Sequence, residues 1–162
     1  MTKKLNDKII VITGGSGLIG GAIIESLIEH GASVVNLDLH PSKKMSGQMD
    51  FIECDICDYK ASKNAINHVI RKYSRIDGLI NNAYPRTEDW GSSFDVISPK
   101  SWETNVNWQL NSHVSITKHV IQIMKKQKEG SIVFMTSIYG MVGNDMTLYE
   151  GTGISTAPPY SA

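Results

Sequence analysis

Cysteine is scarce in this sequence: 162 residues hold two, Cys54 and Cys57. That excludes a disulfide framework of the kind that staples small secreted folds. The two form a single C-x-x-C with no second pair at matching spacing, so a structural zinc site lacks half its ligands. A redox pair belongs at the start of a helix, whereas this one ends a predicted strand, and two reduced thiols are expected. Charge of either sign is not in excess, since Lys plus Arg number 16 and Asp plus Glu number 16. With no basic or acidic tail, nothing electrostatic points to nucleic acid or a membrane surface. Long apolar runs are missing too, and no segment suffices to span a bilayer. Lys3, Lys4 and Lys8 precede an uncharged stretch, 9–24, with the outline of an export signal. Four glycines interrupt it, and it resolves into strand, turn and helix, so a cytoplasmic protein is expected. The histidines (His30, His40, His68, His113, His119) show no helical pairing. No metal site is expected, and these rings read as solvated or edge residues. Internal repeats and low-complexity segments are absent.

What is present is an alternation of β-branched runs and helical stripes. Strands are predicted at 8–13, 33–39, 50–54, 77–81 and 131–136. The first, with Ile9, Ile10, Val11 and Ile12 in succession, suits a parallel strand covered on both faces. Helices are predicted at 18–30, 60–74 and 102–128, ended by Gly31 and Gly130 where those apply. Their inward stripes read as Leu18, Ile19, Ala22, Ile23, Leu27 and Ile28; Ala61, Ala65, Ile66, Val69, Ile70 and Tyr73; and Leu110, Val114, Thr117, Ile121 and Met124. Segment 84–100 reads as a long loop or short helix, and 137–162 as loop. The alternation predicts one domain, 1–162, of class α/β, with three layers and a parallel sheet.

The turn Thr13-Gly14-Gly15-Ser16-Gly17-Leu18-Ile19-Gly20 lies between the first strand and the first helix. Gly15-x-Gly17-x-x-Gly20 is a weak signal alone, but this position gives it meaning. Glycine allows a tight turn and close backbone approach to a pyrophosphate, and the helix start offers N–H groups to its oxygens. Asp38 ends the second strand, 18 residues after Gly20. A carboxylate there accepts hydrogen bonds from ribose hydroxyls and repels a 2′-phosphate, which favours NAD over NADP. Lys43 and Lys44 nearby leave NADP open.

Thr13–Gly20, Asp38, Asp55, Asn81-Asn82-Ala83 and Ser137 together resemble the short-chain dehydrogenases/reductases, over nearly the whole chain. The resemblance implies a Rossmann-type fold and an NAD(P)-dependent oxidoreductase. It implies that Asp55, with Ile56 beside it, contacts the adenine, and that Asn81, Asn82 and Ala83 close the cofactor pocket. Tyr84 replaces the glycine that usually follows. In this family a Ser, a Tyr and a Lys act together: the Ser orients the substrate oxygen, the Tyr carries the proton, and the Lys four residues on lowers the Tyr pKa. A phenol, with a pKa of about 10, needs such a cation to work at neutral pH.

Ser137 matches the catalytic Ser. Tyr149 follows it by 12 residues, but Gly153 stands at the Lys position. Tyr160 is the better match to the Tyr, 23 residues after Ser137, and the sequence given stops at Ala162. The long separation resembles a subgroup associated with bacterial surface-glycan and flagellin modification, which implies a sugar-like hydroxyl or carbonyl substrate. Seven residues after Trp102, where many members carry a helical Asn, stands Gln109, either as its replacement or as an ordinary surface residue. By resemblance the chain is a C-terminally truncated member whose sheet would leave an open apolar flank, and the full-length protein is expected to be a homo-oligomer. Two other readings compete. One is a non-catalytic dinucleotide-binding or interaction module. The other is a nucleotide-sugar epimerase or dehydratase, whose glycine spacing Gly14-x-x-Gly17-x-x-Gly20 also fits.

Overall fold

The predicted apolar runs form strands of one parallel sheet. The computed structural model describes residues 3–42, 49–152 and 157–160. Its strands β1 (Ile9–Thr13), β2 (Ser33–Asp38), β3 (Asp50–Glu53), β4 (Gly78–Asn81) and β5 (Ser131–Phe134) run in the order β3-β2-β1-β4-β5. Every neighbouring pair is parallel. The helices are α1 (Leu18–Glu29), α2 (Tyr59–Tyr73), α3 (Pro99–Val106) and α4 (Ser112–Gln127). The chain divides into two compact units, Met1–Tyr84 with Ser112–Met135, and Pro85–Asn111 with Thr136–Ala162.

The first unit holds the sheet. Successive residues of a strand point to opposite faces, and β1 uses both. Ile9 and Val11 join Val35, Leu37 and Leu79 in a core closed by Ile66 and Val69 of α2 and Ile116 and Val120 of α4. Ile10 and Ile12 join Val34 in a second core closed by Ile24 of α1. β1 is therefore buried along its length, as its unbroken β-branched run predicts. Asp58 caps α2, its carboxylate accepting from the N–H groups of Lys60 and Ala61.

Two predicted stripes need correction. In α1, Leu18 is 93% exposed and Ile19 is also exposed, whereas Ile24 is fully buried. The sheet lies under the later turns, so the first residues of the helix project past it. The predicted helix 102–128 is interrupted by a π-helical turn at Asn107–Asn111. The buried stripe of α4 is then His113, Ile116, Val120 and Met124, while Leu110 and Val114 are exposed. Apolar residues occur on both sides of this helix, so periodicity alone could not select the side that α2 and β4 cover.

At the amino ends of the strands an ionic cluster ties β1 to β4. The buried Asp77 carboxylate accepts from Ile9 N–H at 2.9 Å and from the Arg75 guanidinium, with Lys8 Nζ at 3.4 Å. Glu129 completes the group, 2.5 Å from Lys8 Nζ. Burial by itself pushes the Asp77 carboxyl up, but Arg75, the Ile9 N–H and Lys8 together bring it below the ordinary aspartate value. A carboxyl whose folded pKa is depressed stabilises the fold fully above its unfolded pKa of about 4. That contribution is lost as pH falls through the lower folded value. Asp77→Asn is expected to cost about 1–3 kcal/mol at neutral pH and to flatten the acid limb of melting temperature against pH. Parallel limbs for the two proteins would remove Asp77 from acid unfolding.

Candidate functional site

In this sheet order β1 stands between β2 and β4, so the chain winds away from it in both directions. The crevice beyond the carboxyl ends at such a switch point is where open α/β sheets place ligands. The turn after β1 lies there, and β4 holds it from below. Asn82 Nδ2 donates to the carbonyls of Thr13 (3.1 Å) and Gly14 (2.9 Å), and the N–H groups of Asn82 and Ala83 donate to Thr13 Oγ1. Gly14 has φ +68°, and a Cβ there would lie 2.6 Å from Ala83 Cα. A side chain at that position would part the turn from β4.

β2 holds the turn from its other side. Gly14 N–H donates to Leu37 O, Gly15 N–H to Asn36 Oδ1 and Ser16 N–H to Asp38 Oδ2, each at 2.9 Å. The structure thus brings Thr13, Gly14, Gly15, Ser16, Asp38, Asn82 and Ala83 together, as their order in the sequence suggests. Gly17 is the N-cap of α1 with no side-chain cap bond, and the first turn of α1 carries no acidic residue. Among the described residues no side chain therefore competes with an anion for the N–H groups that open the helix. Asn81 lies deeper: it is buried, its Nδ2 donates to Thr117 Oγ1, and its Oδ1 has no partner among the described residues. Asp55 lies in the loop between β3 and α2 and accepts from Cys57 N–H, and Ile56 is buried in the core. Lys43 and Lys44 lie outside the described residues.

Two residues of this unit carry more weight than their sequence context suggests. Asn36 is fully buried in β2; a lone amide among Val34, Val35 and Leu37 was the available signal. His113, expected at a solvated edge, is buried, with Nε2 3.0 Å from Ala83 O. Burial holds its imidazole pKa below the ordinary value despite that bond. In the C-x-x-C, burial raises the Cys54 thiol, and burial first, then the Asp55 charge, pushes Cys57 up to about 12. Among the described residues no group of His, Cys, Asp and Glu could hold a metal ion, and no helix is long and apolar enough to cross a membrane.

The second unit carries the remaining predicted site residues. Gln109 lies in the π-helical turn, a feature often found at functional sites, and its Nε2 donates to Pro85 O at 3.1 Å. Asn105, fully buried, exchanges hydrogen bonds with Thr87. Ser137 caps a short 3₁₀ turn, Ile138–Gly140, with its Oγ accepting from Tyr139 N–H at 3.2 Å. Tyr160 sits edge-on to Trp90, the centroids 6.1 Å apart. A hydrogen bond with Tyr139 holds the Tyr149 phenol above its ordinary pKa, which suits it poorly to proton transfer at neutral pH.

A dinucleotide is the group this fold implies, and the residues fit one: an uncapped helix start without acid, a turn pinned on both sides, and a carboxylate at the end of β2. The family model for short chain dehydrogenase matches residues 8–152. Post-translational flagellin modification protein A of Campylobacter coli is 25% identical, over 97% of this chain and 66% of its own length. Sorbitol-6-phosphate 2-dehydrogenase of Klebsiella pneumoniae is 31% identical, over 87% of this chain and 56% of its own. A short chain dehydrogenase from Leptospira borgpetersenii, solved with bound NAD+, superposes with a TM-score of 0.85 at 26% identity, covering 98% of this chain and 60% of that one. The chain thus spans between half and two thirds of the length of these relatives. With the turn, the sheet order and the matched span in agreement, the chain belongs to the short-chain dehydrogenase family.

Proposed function

We propose that this chain binds NAD through the turn Thr13–Gly20 and Asp38, as the nucleotide-binding part of an oxidoreductase acting on a hydroxyl or carbonyl of a small, sugar-like molecule. The observation that carries the reading is the uncapped start of α1 beside a turn pinned to β2 and β4. The helix start would take the pyrophosphate. Asp38, partly exposed, would accept from a ribose diol and disfavour a 2′-phosphate. Asp55 and Ile56 would border the adenine, and Asn81, Asn82 and Ala83 would close the pocket after β4. When bound, the nicotinamide supplies or accepts hydride.

The remaining roles belong to the chain's own hydroxyls and amides. Ser137 Oγ accepts from Tyr139 N–H, which leaves its proton free to be donated to a substrate oxygen. Tyr160 would give or take the proton at its phenolic oxygen. Gln109, turned onto the Pro85 carbonyl, would hold a water for the proton path. Residues 1–162 would form one nucleotide-binding domain of a homo-oligomeric enzyme. Two free thiols suit the cytoplasm.

NADH titration tests the binding step without any substrate. Saturation at about 100 times Kd is expected to raise stability by about 2.7 kcal/mol, read as a higher melting temperature. Asp38→Ala should weaken NADH about tenfold, the loss of one good charge-assisted contact. No shift with millimolar NADH or NADPH would sink the reading. Binding without turnover on a panel of sugar carbonyls would instead leave the chain a binding module.

A further inference from the structure

Asn36 does more than fill β2. It is fully buried, and both ends of its amide are spent on the turn. Oδ1 accepts from Gly15 N–H at 2.9 Å, and Nδ2 donates to Ser16 Oγ at 3.0 Å. The Gly15 N–H requires an acceptor, so the amide has one orientation. A hydroxyl has one proton. With Asn36 donating into it, Ser16 Oγ must send that proton elsewhere, and it donates to His40 O at 2.6 Å. The Ser16 N–H is already on Asp38 Oδ2, and the other Asp38 oxygen lies 3.4 Å from His40 N. At the rim at the end of β2 the Gly15 N–H, the Ser16 N–H and the Ser16 hydroxyl are thus already spent on Asn36, Asp38 and His40 O, which leaves lone pairs and a carboxylate on offer.

We propose that Asn36 is a positioning residue that sets the preference for NAD over NADP, by holding the Ser16 hydroxyl proton away from the place where a 2′-phosphate would arrive. The proposal rests on the dinucleotide reading above. Asp38 supplies the repulsion, and Asn36 withholds a hydroxyl donor, that of Ser16, which would offset it. A buried amide that merely braced the turn would affect both cofactors alike, because the turn faces the pyrophosphate that they share.

The test is the ratio of NADPH to NADH dissociation constants, measured by fluorescence titration of the whole chain, with melting curves to confirm folding. In Asn36→Ala the Ser16 hydroxyl loses the donor that fixes it and keeps only the His40 carbonyl as partner, so it can rotate to donate to an arriving phosphate. The ratio is expected to move about tenfold toward NADPH, a difference of about 1.4 kcal/mol. Adding Ser16→Ala should erase that gain. Asn36→Asp keeps an acceptor for Gly15 and is close in shape, so it serves if the alanine variant fails to fold. It draws the Ser16 proton inward and adds negative charge, and the ratio should move the other way. A ratio unchanged within twofold in the variants that fold, while both affinities fall together, would overturn the assignment of Asn36 and leave the dinucleotide reading standing. A wild-type chain that binds neither cofactor would overturn both.

Discussion

Gly14→Ala is expected to weaken NADH binding by at least about 100-fold, roughly 2.8 kcal/mol at about 1.4 kcal/mol per decade. It should also lower the melting temperature. Gly14 sits at φ +68°, where an L side chain costs about 1–2 kcal/mol. The larger problem is steric. The added Cβ would lie 2.6 Å from Ala83 Cα and 3.0 Å from Ala83 N. Both are backbone atoms, so no rotamer change relieves the clash, and the turn and the end of β4 must separate. Gly143→Ala is the control: its Cβ would meet nothing within 4 Å, and it should leave both binding and melting unchanged. Full NADH affinity in Gly14→Ala would show that the pinned turn is not the binding element.

Asn82→Ala should be the next most damaging change, and Asn82→Asp worse than alanine. The Asn82 amide donates to two carbonyls, Thr13 O and Gly14 O. Removing it leaves both short of a partner and should cost about 1–3 kcal/mol. Aspartate keeps the size but sets a negative oxygen against the same two carbonyls, so repulsion adds to the loss. The expected order of melting temperature is wild type, Asn82→Ala, Asn82→Asp, with NADH affinity in the same order. Equal melting of the two variants would mean that the donor character of Asn82 is irrelevant and only its volume counts.

The strands and helices were legible because their signals are local. Ile9 to Ile12 is too apolar for any place but a doubly covered strand, and it occupies one. The α2 stripe was equally readable: Ala65, Ile66 and Val69 are buried as expected, and Ser62 joins them with its hydroxyl donating to Ile56 O. Where apolar residues lie on two faces, as along α4, the pattern was ambiguous, and the partner that breaks the tie is remote in sequence. Leu18 and Ile19 misled for a related reason: a stripe gives the direction of the core but not where the sheet beneath it ends. The π-helical turn at Asn107–Asn111 leaves no mark that residue spacing reveals.

The candidate site divides along the same line. The sequence by itself determined the chemistry on offer: a glycine turn between strand and helix, a carboxylate at the end of the second strand, an Asn-Asn-Ala after the fourth. These are chain-local facts, set by residue types and short spacings. Only the tertiary structure decided how they are used. The strand order brings segments nearly seventy residues apart into hydrogen-bond contact, so that Asn82 clamps Thr13 and Gly14. It also turns Asn36, an unremarked residue in the sequence, into the partner of both Gly15 and Ser16. A hydrogen bond depends on distance and direction in space, and neither is written in the order of residues until the sheet has formed.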